Sequence, residues 1–225
     1  MKTLHLSFDA VTVVQQSDDR RPDGDQSDKL YCNVLGVTVS AGHGPVPVAI
    51  LTGRMDGEII TNIGQAQTGG TLNVPSDAGA ISAVFDEADT LAVLFVVILW
   101  NHRGFSNDQA RFVYEQLRDA VAAELNARTL VELVQLNNAG QQRALSDAIN
   151  ERVQGPALMN ALKTLNLGAL TPDQKLGSVA RVVSAGDFFA SGTTEWEESI
   201  NFAGNDGSSR NGSGSYRLVG RTVVV

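Results

Sequence analysis

One cysteine, Cys32, stands in a chain of 225 residues, so no internal disulfide can form and no multi-cysteine zinc site can be built. Histidine is as scarce. His5, His43 and His102 are far apart in sequence and have no metal-ligand spacing, and each reads as structural. Long apolar runs are missing too: the longest, Leu91 to Trp100, is about half of what spans a bilayer. The chain is therefore not expected to be transmembrane. Positive charge is in deficit, with seventeen Lys and Arg against twenty-five Asp and Glu and a net charge of −8, which repels a phosphate backbone and argues against a nucleic-acid partner. The opening MKTLHLSFDA alternates apolar and polar residues and has no apolar secretory core, so it reads as a first strand. A cytoplasmic location, or export without that kind of signal, is expected. There is no G-x-S-x-G, P-loop or dinucleotide fingerprint. With so little catalytic material, the chain is expected not to be an enzyme.

What is present is β patterning around a helical block. With 43% hydrophobic and 19% charged residues the chain can bury a substantial core. Thr3 to Val14, Leu30 to Val39, Val46 to Leu51, Ile59 to Ile63, Ile81 to Phe85 and Leu91 to Trp100 read as strands separated by Gly, Pro, Asp and Ser turns. The last is so uniformly apolar that both its faces must be covered. From Ser106 the period changes: Phe112, Leu117, Val121 and Leu125 recur at helical spacing, and the pattern continues through Leu145, Ile149, Leu158, Leu162 and Leu165. Leu176 to Val183, Thr193 to Phe202 and Tyr216 to Val225 return to β, with a Gly and Ser loop over 204–215. Strands before and after one helical block indicate a single mainly β domain, an antiparallel sandwich from 1–105 and 173–225 with a helical hairpin or bundle inserted at 106–172 and packed against it.

The densest chemical feature is Ser17 to Tyr31, which sets Asp18, Asp19, Asp23, Asp25 and Asp28 between two strands. Calcium takes six to eight oxygen ligands, and a carboxylate-rich loop supplies them. A solvated acidic loop, partly neutralised by Arg20 and Arg21, is the bland alternative. Gln67-Thr-Gly-Gly-Thr71 lacks the Lys and the following helix of a phosphate cradle and reads as a turn. Asp86, Glu87 and Asp89 with Glu195, Glu197 and Glu198 supply clustered acids of the kind glycoside hydrolysis needs, and Trp100, Trp196 and Tyr216 could form a sugar-stacking platform, but acids at strand ends are usually solvated and these aromatics read first as core.

Three segments in order resemble a C2 domain, the β-sandwich that often binds calcium and phospholipid. They are Leu4 to Ala10 with the acidic loop and Asp25-Gln-Ser-Asp28-Lys-Leu-Tyr31, then Leu94 to Asp108, then Asp173-Gln-Lys-Leu-Gly-Ser-Val179. Lys29-Leu30 replaces the family's proline, and Asn101 and Arg103 stand where it often has acids. The resemblance implies a calcium site formed by Asp18, Asp19, Asp23, Asp25 and Asp28, completed by Asp108 or Asp173. It also implies that the helices are inserted in a loop at the calcium end. A non-enzymatic binding module is expected, attached with calcium to an anionic lipid surface or a protein assembly. Partner contacts are expected at an exposed Phe105 tip and at Arg111, Glu115, Arg118 and Arg128. The alternatives are a secreted or virulence-associated structural protein with the sandwich as scaffold, and a carbohydrate-active β-sandwich domain.

Overall fold

The computed structural model describes residues 2–16, 28–40, 48–53, 63–85, 89–129, 131–132, 135, 138–154, 156–165, 174–184, 192–202 and 214–225. Among the described residues ten strands form two antiparallel sheets. The strands are β1 (Lys2–Gln15), β2 (Asp28–Ser40), β3 (Val48–Gly53), β4 (Gly64–Ala66), β5 (Thr71–Asn73), β6 (Ala80–Phe85), β7 (Thr90–Asn101), β8 (Gln174–Ser184), β9 (Gly192–Phe202) and β10 (Gly214–Val224). One sheet runs β5-β1-β10-β9 with β6 also on β1, and the other runs β3-β2-β7-β8 with β4 also on β2. The expected strands are present apart from Ile59 to Ile63, of which residues 59–62 lie outside the described residues and Ile63 is in no strand. A short helix α1 (Ser76–Gly79) and the three-residue strands β4 and β5 are additions that carry too few residues for a periodic signal.

Alternation places the core. In β10 the burial pattern alternates along the whole strand, so Tyr216, Leu218 and Val224 point inward while Arg217 and Arg221 face solvent. These inward side chains meet Leu4, Leu6, Phe8, Val11 and Val13 of β1 and Leu30, Cys32, Val34, Phe95, Val97 and Leu99 of the opposite sheet. Gly220 permits the closest approach: a Cβ there would collide with the Ser7 carbonyl oxygen and the Trp196 ring, so this position admits only glycine. At the sandwich edge Arg181 lies 5.3 Å from the centre of the Trp196 ring and pairs with Glu198 at 3.4 Å, closing the gap between β8 and β9. The Gln67 to Thr71 segment is a turn, as its residue types indicate, with Gly69 at φ +86°.

β7 is buried along its length because its second face is covered by helices. α2 (Asn107–Asn126), α3 (Ala139–Gln154) and α4 (Pro156–Leu165) are inserted between β7 and β8. α2 starts in a capping box, with Ser106 Oγ accepting from the Gln109 N–H at 3.3 Å and Gln109 Oε1 accepting from the Ser106 N–H at 2.8 Å. Its apolar stripe, Val113, Leu117, Val121 and Leu125, joins Leu145, Ile149 and Ala161 against Tyr31, Leu35, Val37, Val39, Leu94, Val96, Ile98 and Trp100. The result is three layers: sheet, sheet, helices. The insertion was expected at the loop end of the sandwich. It does begin there, and its body folds back over the outer face of the β2–β7–β8 sheet.

Candidate functional site

The end of the sandwich where β1 finishes is also where β2 and β8 begin and β7 finishes. Leu30 lies opposite Asn101, Asn101 opposite Gln174, and Gln15 opposite Ser215 at the start of β10. Three connecting segments therefore leave from this end: the acidic one before Asp28, the helical insertion after Asn101, and the Gly and Ser segment before Gly214. Beneath them Asp28 is buried, 1% exposed, and binds across both sheets. One of its oxygens accepts from Asn101 Nδ2 at 2.8 Å and the other from the Tyr216 hydroxyl at 2.7 Å. Asn101 Oδ1 in turn accepts from the Lys29 N–H at 3.1 Å, and the His102 N–H donates to the Lys29 carbonyl at 2.8 Å. A buried carboxylate with these donors is a satisfied polar clamp.

The expected metal ligands divide accordingly. Asp18, Asp19, Asp23, Asp25 and Asp173 lie outside the described residues. Asp28 serves the clamp. Asp108 is exposed in the first turn of α2, where the helix dipole favours an acid. Among the described residues no group of three or more His, Cys, Asp or Glu is placed to hold a metal ion.

The expected partner-binding residues are mostly at the surface, with one correction. Phe105 is 4% exposed and packs in the sheet–helix layer instead of forming an exposed tip, because the chain turns back over the sheet at this point. Arg111 is exposed, and Glu115 and Arg118 follow it on the same stripe of α2. Arg118 pairs with Asp119 at 2.8 Å, and Arg128 pairs with Glu124 one turn back at 2.9 Å. Trp100, Trp196 and Tyr216 are core aromatics and form no sugar platform: all are buried, Trp100 beneath the helices and the other two between the sheets. Of the clustered acids, Asp86 and Glu87 lie outside the described residues, Asp89, Glu195 and Glu197 are exposed, and Glu197 pairs with Arg217 at 3.4 Å. His5 shares a hydrogen bond with Ser82 at 2.7 Å on the outer sheet face.

A second group escaped the sequence reading. Lys175 lies opposite Trp100, which lies opposite Tyr31, and cross-strand partners share a face, so all three sit under the helices. Tyr31 and Trp100 stack with centroids 5.9 Å apart and planes 6° from parallel. Lys175 is 9% exposed, and its Nζ lies 3.4 Å from Ser178 Oγ. Burial pushes the lysine down to about 7. The Trp100 indole N–H is buried and has no acceptor among the described residues. Cys32 is inert by comparison: burial pushes its thiol up to about 12.

No protein-family model matches this chain, and none of the curated proteins does either.

Proposed function

We propose that the chain is a non-enzymatic, C2-like binding module that attaches with the help of calcium to an anionic membrane surface or a protein assembly. The observation that supports this reading is the position of the Asp28 clamp. It ties the start of β2, where the acidic segment ends, to the end of β7 at the root of the helical insertion and to β10 of the opposite sheet, so that the stretch carrying Asp18, Asp19, Asp23 and Asp25 leads into a braced end of the sandwich. Loops on a rigid scaffold are where binding residues concentrate. A net charge of −8 makes direct attachment to an anionic surface unfavourable, and a bound cation changes that balance. Since the Asp28 oxygens are engaged, the ligands of this reading are Asp18, Asp19, Asp23 and Asp25.

The test pairs the wild type with Asp23→Asn/Asp25→Asn, a variant that leaves the clamp intact. Millimolar calcium is expected to raise the wild-type melting temperature reversibly to chelator, and the double variant to lose the rise. Co-sedimentation with phosphatidylserine vesicles, with calcium and with chelator, separates lipid from protein attachment. A wild type whose melting ignores calcium overturns the reading.

A further inference from the structure

The long edges of the two sheets differ in how they are protected. β8, at the end of its sheet among the described residues, has a register shift against β7 and the buried Lys175 at its start, two devices that keep an edge from taking on a further strand. β9, at the end of the other sheet, has neither. Its eleven residues pair with β10 from Gly192 to Phe202 without a register shift and contain no proline or lysine. Among the described residues β9 makes no other strand pairing. Gly192 to Glu195 are all exposed, as are Glu197 and Ser199. A regular strand directs the N–H and C=O of every second residue away from its paired neighbour, so an edge of this length is a template for one more strand.

The charges on β9 decide which strand fits. Trp196 and Ile200 enter the core, so Glu195 and Glu197 lie on the outer face of the sheet. Arg221, opposite Glu195, is held by Asp9 at 2.7 and 3.3 Å, and Glu195 forms no ion pair among the described residues. Glu197 and Glu198 reach Arg217 and Arg181 only at 3.4 Å, and their side chains remain 57% and 43% exposed. Such loose surface pairs contribute little and yield readily to a better partner. A second copy of the chain fits badly. Fully overlapped antiparallel pairing of β9 with itself sets Glu197 opposite Glu197, and like charges directly opposite destabilise a sheet. We propose that the free edge of β9 takes an extended basic segment of a partner protein as an added strand. Main-chain hydrogen bonds along the edge hold it, and Lys or Arg at alternate positions lie against Glu195 and Glu197. The net charge of −8 steers such a segment towards the chain. This surface uses none of the residues of the calcium reading and stands whether or not calcium binds.

The test follows the fluorescence anisotropy of a labelled peptide of alternating Lys and Val as the full chain is titrated in. Its counterparts are the same peptide with Glu in place of Lys, and the fully N-methylated Lys peptide, which keeps the charge and loses every main-chain donor. Saturable binding is expected for the unmodified Lys peptide alone. Glu195→Gln/Glu197→Gln is expected to weaken it several-fold, and Glu195→Lys/Glu197→Lys to weaken it about tenfold or more and to admit the Glu peptide. Both positions are exposed, and a circular dichroism melt of each variant checks that the fold is kept. No saturable binding of the Lys peptide overturns the proposal. Equal binding of the N-methylated peptide also overturns it, since the attraction is then one of charge alone, as does undiminished binding by the charge-reversed variant. A dimer in sedimentation equilibrium whose formation excludes the peptide makes a second copy the occupant and overturns it as well.

Discussion

Replacing the helical insertion, roughly residues 106–172, with a short Gly-Ser linker tests whether the helices are an appendage or part of the core. Linker length itself costs little, since loop closure grows only logarithmically. The cost lies in what is uncovered. Leu35, Val37 and Val39 of β2 and Leu94, Val96 and Ile98 of β7 are each at most 2% exposed in the layer that the helices close. Full burial of one such side chain is worth roughly 1.5–3 kcal/mol, so exposing six forfeits about 9–18 kcal/mol. Whole domains have only about 5–15 kcal/mol to lose. Tyr31 and Trp100 add further apolar area to the same face. The truncated chain is expected to lose cooperative melting by circular dichroism, to bind a hydrophobic dye and to elute as aggregate. A monomeric product that melts cooperatively within a few degrees of the full chain refutes this reasoning, and shows that the sandwich core alone suffices.

Asp28→Ala leaves the Asn101 amide and the Tyr216 hydroxyl buried without their acceptor, and is expected to cost about 2–5 kcal/mol in urea denaturation; a loss below about 1 kcal/mol contradicts the clamp. Gly220→Ala drives a methyl into the Ser7 carbonyl and the Trp196 ring, so its melting temperature should fall well below that of a control substitution at exposed Ser199. Cys32, buried and with its thiol raised to about 12, should resist iodoacetamide at pH 8 until the protein is unfolded; labelling at the rate of a free thiol contradicts its placement. For Lys175 the folded value is lowered to about 7 from an ordinary 10.5, so between those pH values the unfolded chain holds a proton that the native one has released. Stability therefore rises with pH across that window, and Lys175→Met should gain most at pH 7 and below, on the order of a few kcal/mol, with the gain vanishing towards pH 10.5; a gain independent of pH contradicts it.

The strands were readable because their physics is local. Leu91 to Trp100 is continuously apolar, and the structure confirms that both its faces are covered, one by the opposite sheet and one by helices. The change to helical spacing at Ser106 is equally local, since the cap residue and the Val113, Leu117, Val121 and Leu125 stripe are adjacent in the chain. The side on which the helices would lie is not local. Phe105 follows a strand end and precedes a cap, a pattern shared by exposed tips and buried hinges, and only the direction in which the chain turns decides between them.

The same distinction separates the two polar groups at the strand ends. Asp28 was conspicuous as one of five aspartates, yet its partners come from 73 and 188 residues further along the chain, so nothing near it in sequence reveals that it is buried. Lys175 gave no signal at all. Its face is set by a register shift in the β7–β8 pair, and an ordinary alternating strand would put Lys175 on the same side as Leu99's partner Gly177, towards the core between the sheets. One extra residue in the ladder reverses that and carries a lysine into an apolar layer across from Trp100. A charge buried there, with no carboxylate partner among the described residues, lowers stability at neutral pH. The lysine's burial in the helix layer and its destabilising effect are thus two consequences of the same bulge.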